Sequence, residues 1–194
     1  MNLPKLTERG FDIMKVPPTL WGIISDCYKL LKTNIEEENW DGVKNIIKAS
    51  EDKHGSEMLN FSNLPSLGNL LHRSFMPLHE KWCNQPLERS AVYGIRSYKN
   101  GASLVNHKDQ YSGTHHVGSI IVVDKNLECN GEPEDWPLHI QSHDGKWHKV
   151  YTEPGDMIIY ESATCVHGRP DPFKGTFYRN FYVHYKLRDW TYQE

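Results

Sequence analysis

The stretch Phe177-Tyr178-Arg179-Asn180-Phe181-Tyr182-Val183-His184-Tyr185 contains no glycine or proline and reads as the body of a β-strand expected over 177–187. Side chains alternate across a strand, which sets Phe177, Arg179, Phe181 and Val183 on one face. Three apolar companions predict that this face points inward. A guanidinium there needs an anion, either an internal carboxylate or the carboxylate of a ligand.

Working back along the chain, further short strands are expected over 91–98, 104–108, 117–123, 138–141, 146–151 and 157–160. Asn100-Gly101, Asp144-Gly145 and Pro154-Gly155-Asp156 supply turn signals between them. Short strands without intervening helices imply an antiparallel sandwich or barrel. Residues 124–137, with Asn130-Gly131 and Pro133, are expected to form a surface loop near a site mouth.

The first half has a different texture. Pro4, Gly10, Pro17 and Pro18 predict an irregular or edge-strand lead-in. Leu20, Ile23, Ile24, Cys27, Leu30 and Leu31 then recur at helical spacing, predicting a helix from Thr19, as N-cap, to about Thr33. Glu36-Glu37-Glu38 reads as a solvated charge run, and residues 49–65 as a surface loop. A second helical face is formed by Leu67, Leu70, Leu71, Phe75, Leu78 and Trp82, with Pro77 expected to kink or split it. No flexible linker divides the halves, so residues 1–194 are expected to form one domain: a helical support over 1–90 and a β core over 91–188.

Composition narrows the function. With 22 basic and 25 acidic residues the formal charge is −3, which gives no support for general nucleic-acid or membrane attraction. Neither a signal-peptide-like segment nor a run of about 18 apolar residues is present, so an intracellular, cytoplasmic protein is expected. Cys27, Cys83, Cys129 and Cys165 are widely spaced, which fits reduced thiols better than a zinc ribbon or dithiol site.

The chemistry concentrates in Val105-Asn106-His107-Lys108-Asp109. His107 and Asp109, two apart on an extended segment, face the same side and can share one cation. In a chain with 11 histidines one such pair is weak evidence. His167, in Thr164-Cys165-Val166-His167-Gly168-Arg169-Pro170, supplies a third ligand. Two imidazoles and one carboxylate make the facial set that suits non-haem Fe(II) and leaves coordination positions open. His115-His116 is placed near the pocket mouth, with one of the pair touching substrate. His72, His79 and His184 are expected to be hydrogen-bonded histidines, and His139, His143 and His148 do not complete a zinc set.

With these residues in place, 92–187 resembles the catalytic domain of the Fe(II)/2-oxoglutarate-dependent oxygenases, in their prolyl 4-hydroxylase-like branch. Residues 92–101 look like the strand leading to the first ligands, and His107-x-Asp109 stands where the family's His-x-Asp does. Pro154-Gly155-Asp156-Met157-Ile158-Ile159-Tyr160 looks like the turn and strand before the distal histidine, here His167.

The resemblance implies a mainly β fold, a double-stranded β-helix of jelly-roll, cupin-like type, with N-terminal helices packed on one sheet. It implies Fe(II) on His107, Asp109 and His167, with 2-oxoglutarate and O2 as cosubstrates and ascorbate as a possible reductant. A late basic residue would bind the far carboxylate of 2-oxoglutarate. Arg179 ranks first, then Arg169 and Lys174, with Tyr98 resembling a tyrosine that assists. The implied reaction converts 2-oxoglutarate to succinate and CO2 while hydroxylating a substrate C–H.

A Gly-Gly-Glu-Thr-like segment of many prolyl hydroxylases is replaced here by Asn130-Gly131-Glu132-Pro133 and Trp136-Pro137. A prolyl residue of a peptide or protein is the leading substrate expectation; a free amino acid or other small molecule is the alternative. A groove lined by Trp136 would favour peptide, a closed pocket a small molecule. A non-catalytic metal-binding interaction module is the reading from another class.

Overall fold

A computed structural model describes residues 3–38, 45–49, 55–109 and 115–190. Two antiparallel sheets face one another. The larger runs in the order β1 (Phe11–Lys15), β10 (Asp156–Tyr160), β7 (Val117–Asn126), β12 (Phe177–Leu187), β5 (Leu87–Lys99), β4 (Ser56–Asn60), β2 (Glu36–Glu37). The smaller runs β3 (Ile47–Lys48), β6 (Ser103–His107), β11 (His167–Arg169), β8 (Leu138–Gln141), β9 (Trp147–Val150). This is the double-stranded β-helix, with helices on the outer face of the larger sheet.

The helices are α1 (Pro18–Leu31) and α2 (Pro65–Cys83). The first helix starts one residue before the expected cap: Pro18 stands in its first turn, and the Trp21 amide reaches back to the Pro17 carbonyl. Pro77 does not split α2. It lies on the exposed face, where the carbonyl it frees on exposed Arg73 is left to water. Asn84, at φ 52°, ends the helix in the left-handed conformation.

Alternation decides what each strand gives to which layer. Ile121 and Val123 of β7, Met157 and Ile159 of β10, and Phe181 and Val183 of β12 join Ile24, Leu71 and Phe75 in the core between helices and sheet. Their neighbours point between the sheets: Val122 and Tyr178 into one cluster, Ile120, Ile158 and Tyr160 into another. Burying each such side chain contributes about 1.5–3 kcal/mol. The alternation read from the sequence for β12 therefore holds, but the Phe177–Val183 set faces the helices. The interior between the sheets receives Tyr178, Asn180, Tyr182 and His184.

Two expectations for the N-terminal half are corrected. Residues 56–60 form β4, paired along β5, where a loop was expected. Glu38 is not solvated: it is 6% exposed and bonded to Arg96 of β5. The run Glu36-Glu37-Glu38 is exposed only in its first two residues.

Strand β5 carries two bulges. Tyr182 pairs with Gly94 and Val183 with Val92, leaving Tyr93 unpaired; His184 pairs with Ala91 and Tyr185 with Arg89, leaving Ser90 unpaired. Gly94 sits at φ 138°, and a Cβ there would lie 2.0 Å from the Leu59 carbonyl oxygen. Only glycine permits β4 to approach there. No helix among the described residues is long and apolar enough to cross a membrane.

Candidate metal centre and pocket

His107 ends β6 and His167 begins β11, and the two are direct cross-strand partners. Their rings lie 4.5 Å apart. The chain then turns, and the Asp109 amide donates to the Ser162 carbonyl at 2.9 Å, fixing the third residue beside them. Asp109 Oδ1 lies 3.3 Å from His107 Nε2 and 3.8 Å from His167 Nε2. One ligand atom from each of His107, Asp109 and His167 falls within a 4.8 Å cluster, the metal-ligand set found among the described residues.

The surrounding hydrogen bonds fit this set to a cation. His107 Nδ1 contacts the Val105 carbonyl at 2.6 Å, and His167 Nδ1 contacts the Cys165 carbonyl at 3.0 Å. A carbonyl only accepts, so each Nδ1 carries the hydrogen, and both Nε2 atoms are free to present lone pairs.

Burial pushes the Asp109 carboxyl upward, but the imidazoles of His167, His107 and His184 outweigh it and hold Asp109 far below the carboxylate range. Burial lowers His107 too, yet its hydrogen bond and charge contact with Asp109 leave it raised; buried His167 is lowered.

The three groups open onto a cavity of about 660 Å³ between the sheets. Tyr93, Arg96 and Tyr98 of β5 line it, as do Tyr160 of β10 and Asn180, Tyr182 and His184 of β12. His115 lines it as well, as expected. Its Nδ1 contacts Ser90 Oγ at 2.8 Å and its Nε2 the Tyr93 hydroxyl at 2.9 Å, so both bulged residues hold one imidazole. That ring stacks on His184 at 4.5 Å. Burial pushes His184 down to about 3, keeping it neutral. His184 was expected as a core histidine, but it also forms pocket wall.

Arg169 is 1% exposed and lines the pocket. Its guanidinium lies over the rings of Trp136, at 4.9 Å, and Tyr178, at 4.5 Å, which meet each other edge-on, and it donates to the Trp136 carbonyl through Nη1. Its Nη2 has no hydrogen-bond partner, and no carboxylate pairs with it, among the described residues. A buried cation on a cavity wall, with one nitrogen lacking a hydrogen-bond partner among the described residues, calls for an anion.

The first-ranked residue, Arg179, is elsewhere. It faces α1, on the side of β12 away from the cavity. It donates to the Tyr28 hydroxyl, to Ser97 Oγ at 3.2 Å and to Asp124 Oδ2 at 3.3 Å, and lies over the Phe177 ring at 3.5 Å. Its anion is thus internal, and Arg179 is not among the residues lining the cavity, whereas Arg169 is. Lys174 is exposed and paired with Glu134.

Trp136 is not among the residues lining the cavity. At 4% exposure it packs against Tyr98, Phe173 and Tyr178 beneath Arg169, and forms no groove. Tyr98 does line the cavity.

His139, His143 and His148 stay apart, beside Asp171, Glu161 and Ser142 respectively. His72 and His79 are held by the carbonyls of His184 and Phe75, as expected. The sequence reading missed Arg96, Tyr160, Asn180 and Tyr182. The last two alternate with the β12 residues it singled out, so the signal was present and assigned to the wrong face.

No protein-family model matches the sequence, and neither does any curated protein. Among solved structures, the chain is similar to a Pseudomonas putida prolyl-4-hydroxylase at 14% identity and a TM-score of 0.60, covering 95% of this chain and 96% of that one. It is similar to HygX from Streptomyces hygroscopicus, solved with nickel, 2-oxoglutarate and hygromycin B, at 13% identity and a TM-score of 0.62, covering 96% and 86%. The carbocyclase SnoK of nogalamycin biosynthesis, α-ketoglutarate dependent, gives 14% identity and a TM-score of 0.64, covering 96% and 83%. At these identities the likeness concerns the fold.

Proposed function

We propose that the protein is an Fe(II)- and 2-oxoglutarate-dependent oxygenase that hydroxylates a substrate C–H. One observation carries this: His107, Asp109 and His167 converge on a cavity that also holds Arg169, a buried guanidinium with no carboxylate partner among the described residues. The fold neighbours, which include structures described with 2-oxoglutarate or as dependent on it, support the reading.

Iron bound by His107, Asp109 and His167 would, with 2-oxoglutarate and O2, supply the oxidising power that converts C–H to C–OH, releasing succinate and CO2. The remaining tasks fall to the chain. Arg169 receives the far carboxylate of 2-oxoglutarate, with the Trp136 and Tyr178 rings packed against its guanidinium to fix its direction. Tyr98 lies on the adjoining wall. Arg96 is neutralised by Glu38, so it does not compete for that carboxylate. Ile120 and Leu138, with the aromatic walls, keep the interior poor in water.

For the substrate we favour a small molecule. The cavity volume is within the roughly 300–1,000 Å³ typical of small-molecule pockets, and Trp136, the residue expected to line a peptide groove, is buried. A prolyl residue is the second reading, supported by the likeness to the bacterial prolyl-4-hydroxylase.

Thermal melts test the class. Fe(II) plus 2-oxoglutarate under anaerobic conditions should raise the melting temperature more than Fe(II) alone, and Arg169→Met should remove the increment due to 2-oxoglutarate. Stabilisation by zinc with none from 2-oxoglutarate would point instead to a structural metal module.

A further inference from the structure

Asp109 presents two chemically different oxygens. Oδ1 is directed at the Nε2 atoms of His107 and His167, at 3.3 and 3.8 Å. Oδ2 accepts a hydrogen bond from the Tyr160 hydroxyl at 3.2 Å, and His184 Nδ1 stands 3.6 Å from the same oxygen. Tyr160 is 2% exposed, and its ring meets the His167 ring edge-on at 4.7 Å and 71°. One side chain therefore touches two of the three ligand residues from the larger sheet, whereas both histidines belong to the smaller.

We propose that Tyr160 is a positioning residue that keeps Asp109 a one-oxygen ligand. The proposal rests on the reading of His107, Asp109 and His167 as a metal site. A carboxylate beside a divalent cation can close on it with both oxygens, taking up one more coordination position. Here Oδ2 is already engaged by a phenol that is itself 2% exposed, and the neighbouring His184 ring stands against the carboxylate on that side. The Tyr160 hydroxyl occupies one lone-pair site of Oδ2 and draws its charge away from the metal side, which disfavours chelation by both oxygens. A metal held there would keep open the positions that a cosubstrate and O2 both need. Glu161 and Ser162, which follow Tyr160 directly, add to the same clamp: Ser162 accepts the Asp109 amide, and the Glu161 carboxylate accepts the Leu6 and Thr7 amides at 2.9 and 2.8 Å. The end of β10 is thus tied to the lead-in on one side and to Asp109 on the other.

The test uses Co(II) as a spectroscopic probe, read by titration and by its visible ligand-field bands in the absence of any turnover. Tyr160→Phe removes the hydroxyl and keeps the ring against His167. Expected are Co(II) binding weaker by about 10- to 100-fold and ligand-field bands changed in position or intensity. Equal affinity within about twofold together with superimposable bands would overturn the proposal. Because Tyr160 is buried, 3-fluorotyrosine at position 160 provides a second probe that retains ring and hydroxyl and strengthens the donor. It should shift the same bands with affinity preserved; unshifted bands would count against the proposal. If the wild type itself fails to bind Co(II), the metal-site reading falls and takes this one with it. If the wild type binds and Tyr160→Phe matches it in both readouts, only the role of Tyr160 falls.

Discussion

Arg96 and Glu38 form a two-point ion pair inside the protein: Nε donates to Oε2 at 2.7 Å and Nη2 to Oε1 at 2.6 Å, with both residues 6% exposed. The pair joins the segment after β2 to the pocket wall. Removing one partner leaves a buried, uncompensated charge, which costs about 3–5 kcal/mol. Glu38→Ala should therefore lower stability by that amount in urea denaturation, and Glu38→Gln by less, because the amide oxygen still accepts. Loss below about 1 kcal/mol in Glu38→Ala would show that the guanidinium finds another anion.

Two arginines on opposite sides of the larger sheet should separate cleanly. Arg169→Met removes the guanidinium on the cavity wall, and charge-assisted hydrogen bonds of about 1.5–3 kcal/mol translate into a KM for 2-oxoglutarate raised about 10- to 100-fold. Arg179→Met breaks the contacts to Tyr28 and Asp124 beside α1 and should lower the melting temperature while changing that KM by less than about twofold. Steady-state kinetics of both variants check this, and the reverse pattern would restore Arg179 as the carboxylate ligand.

Gly168 follows His167 in β11 and is packed against β6, the strand that carries His107. A Cβ there would come within 2.8 Å of the Leu104 carbonyl oxygen and 2.9 Å of the Asn106 Cα, so β11 must move off β6 to admit it. Because His107 and His167 are cross-strand partners, that movement separates two ligands. Gly168→Ala should weaken Co(II) binding by at least about tenfold, measured by titration, with the fold retained by circular dichroism.

His79 supplies a pH dependence away from the metal centre. It is fully buried against Tyr185, and burial lowers it from 6.5 to about 4, although the Phe75 carbonyl pulls the other way. Between these values the unfolded chain binds the extra proton and the folded one does not. Stability is therefore full above pH 6.5 and is lost as pH falls towards 4, by about 3 kcal/mol from this group. Melts of the metal-free protein should show that loss together with the one from His184, and His79→Phe should reduce it by about the share of this group.

Much of the site was legible because the chemistry is local. His107 and Asp109 share one short segment, and the motif around His167 brought Arg169 with it. The strands over 138–141 and 177–187 match their observed bounds, since alternation and turn residues define them without tertiary information. The failures have one physical source: periodicity gives two faces but does not say which meets the helices. Choosing the wrong face of β12 promoted Arg179 and passed over Asn180 and Tyr182. Glu38 looked solvated for a similar reason, since its partner Arg96 lies far along the chain and only folding brings them together. Trp136 was assigned to a groove because a loop was expected around it, whereas an aromatic ring beside a buried guanidinium is part of the interior.

The most direct measurement is succinate formation from 2-oxoglutarate with Fe(II), ascorbate and O2, for the wild type, His107→Ala and Asp109→Ala, each with a set of small polar metabolites and with proline-rich peptides. Metal-dependent succinate is expected from the wild type, with its loss in both variants and stimulation by a small molecule rather than by peptide. Stimulation by peptide alone would move the substrate to a prolyl residue. Succinate formation unchanged by either ligand substitution, or absent from metal-loaded wild type under every condition, would contradict the central claim.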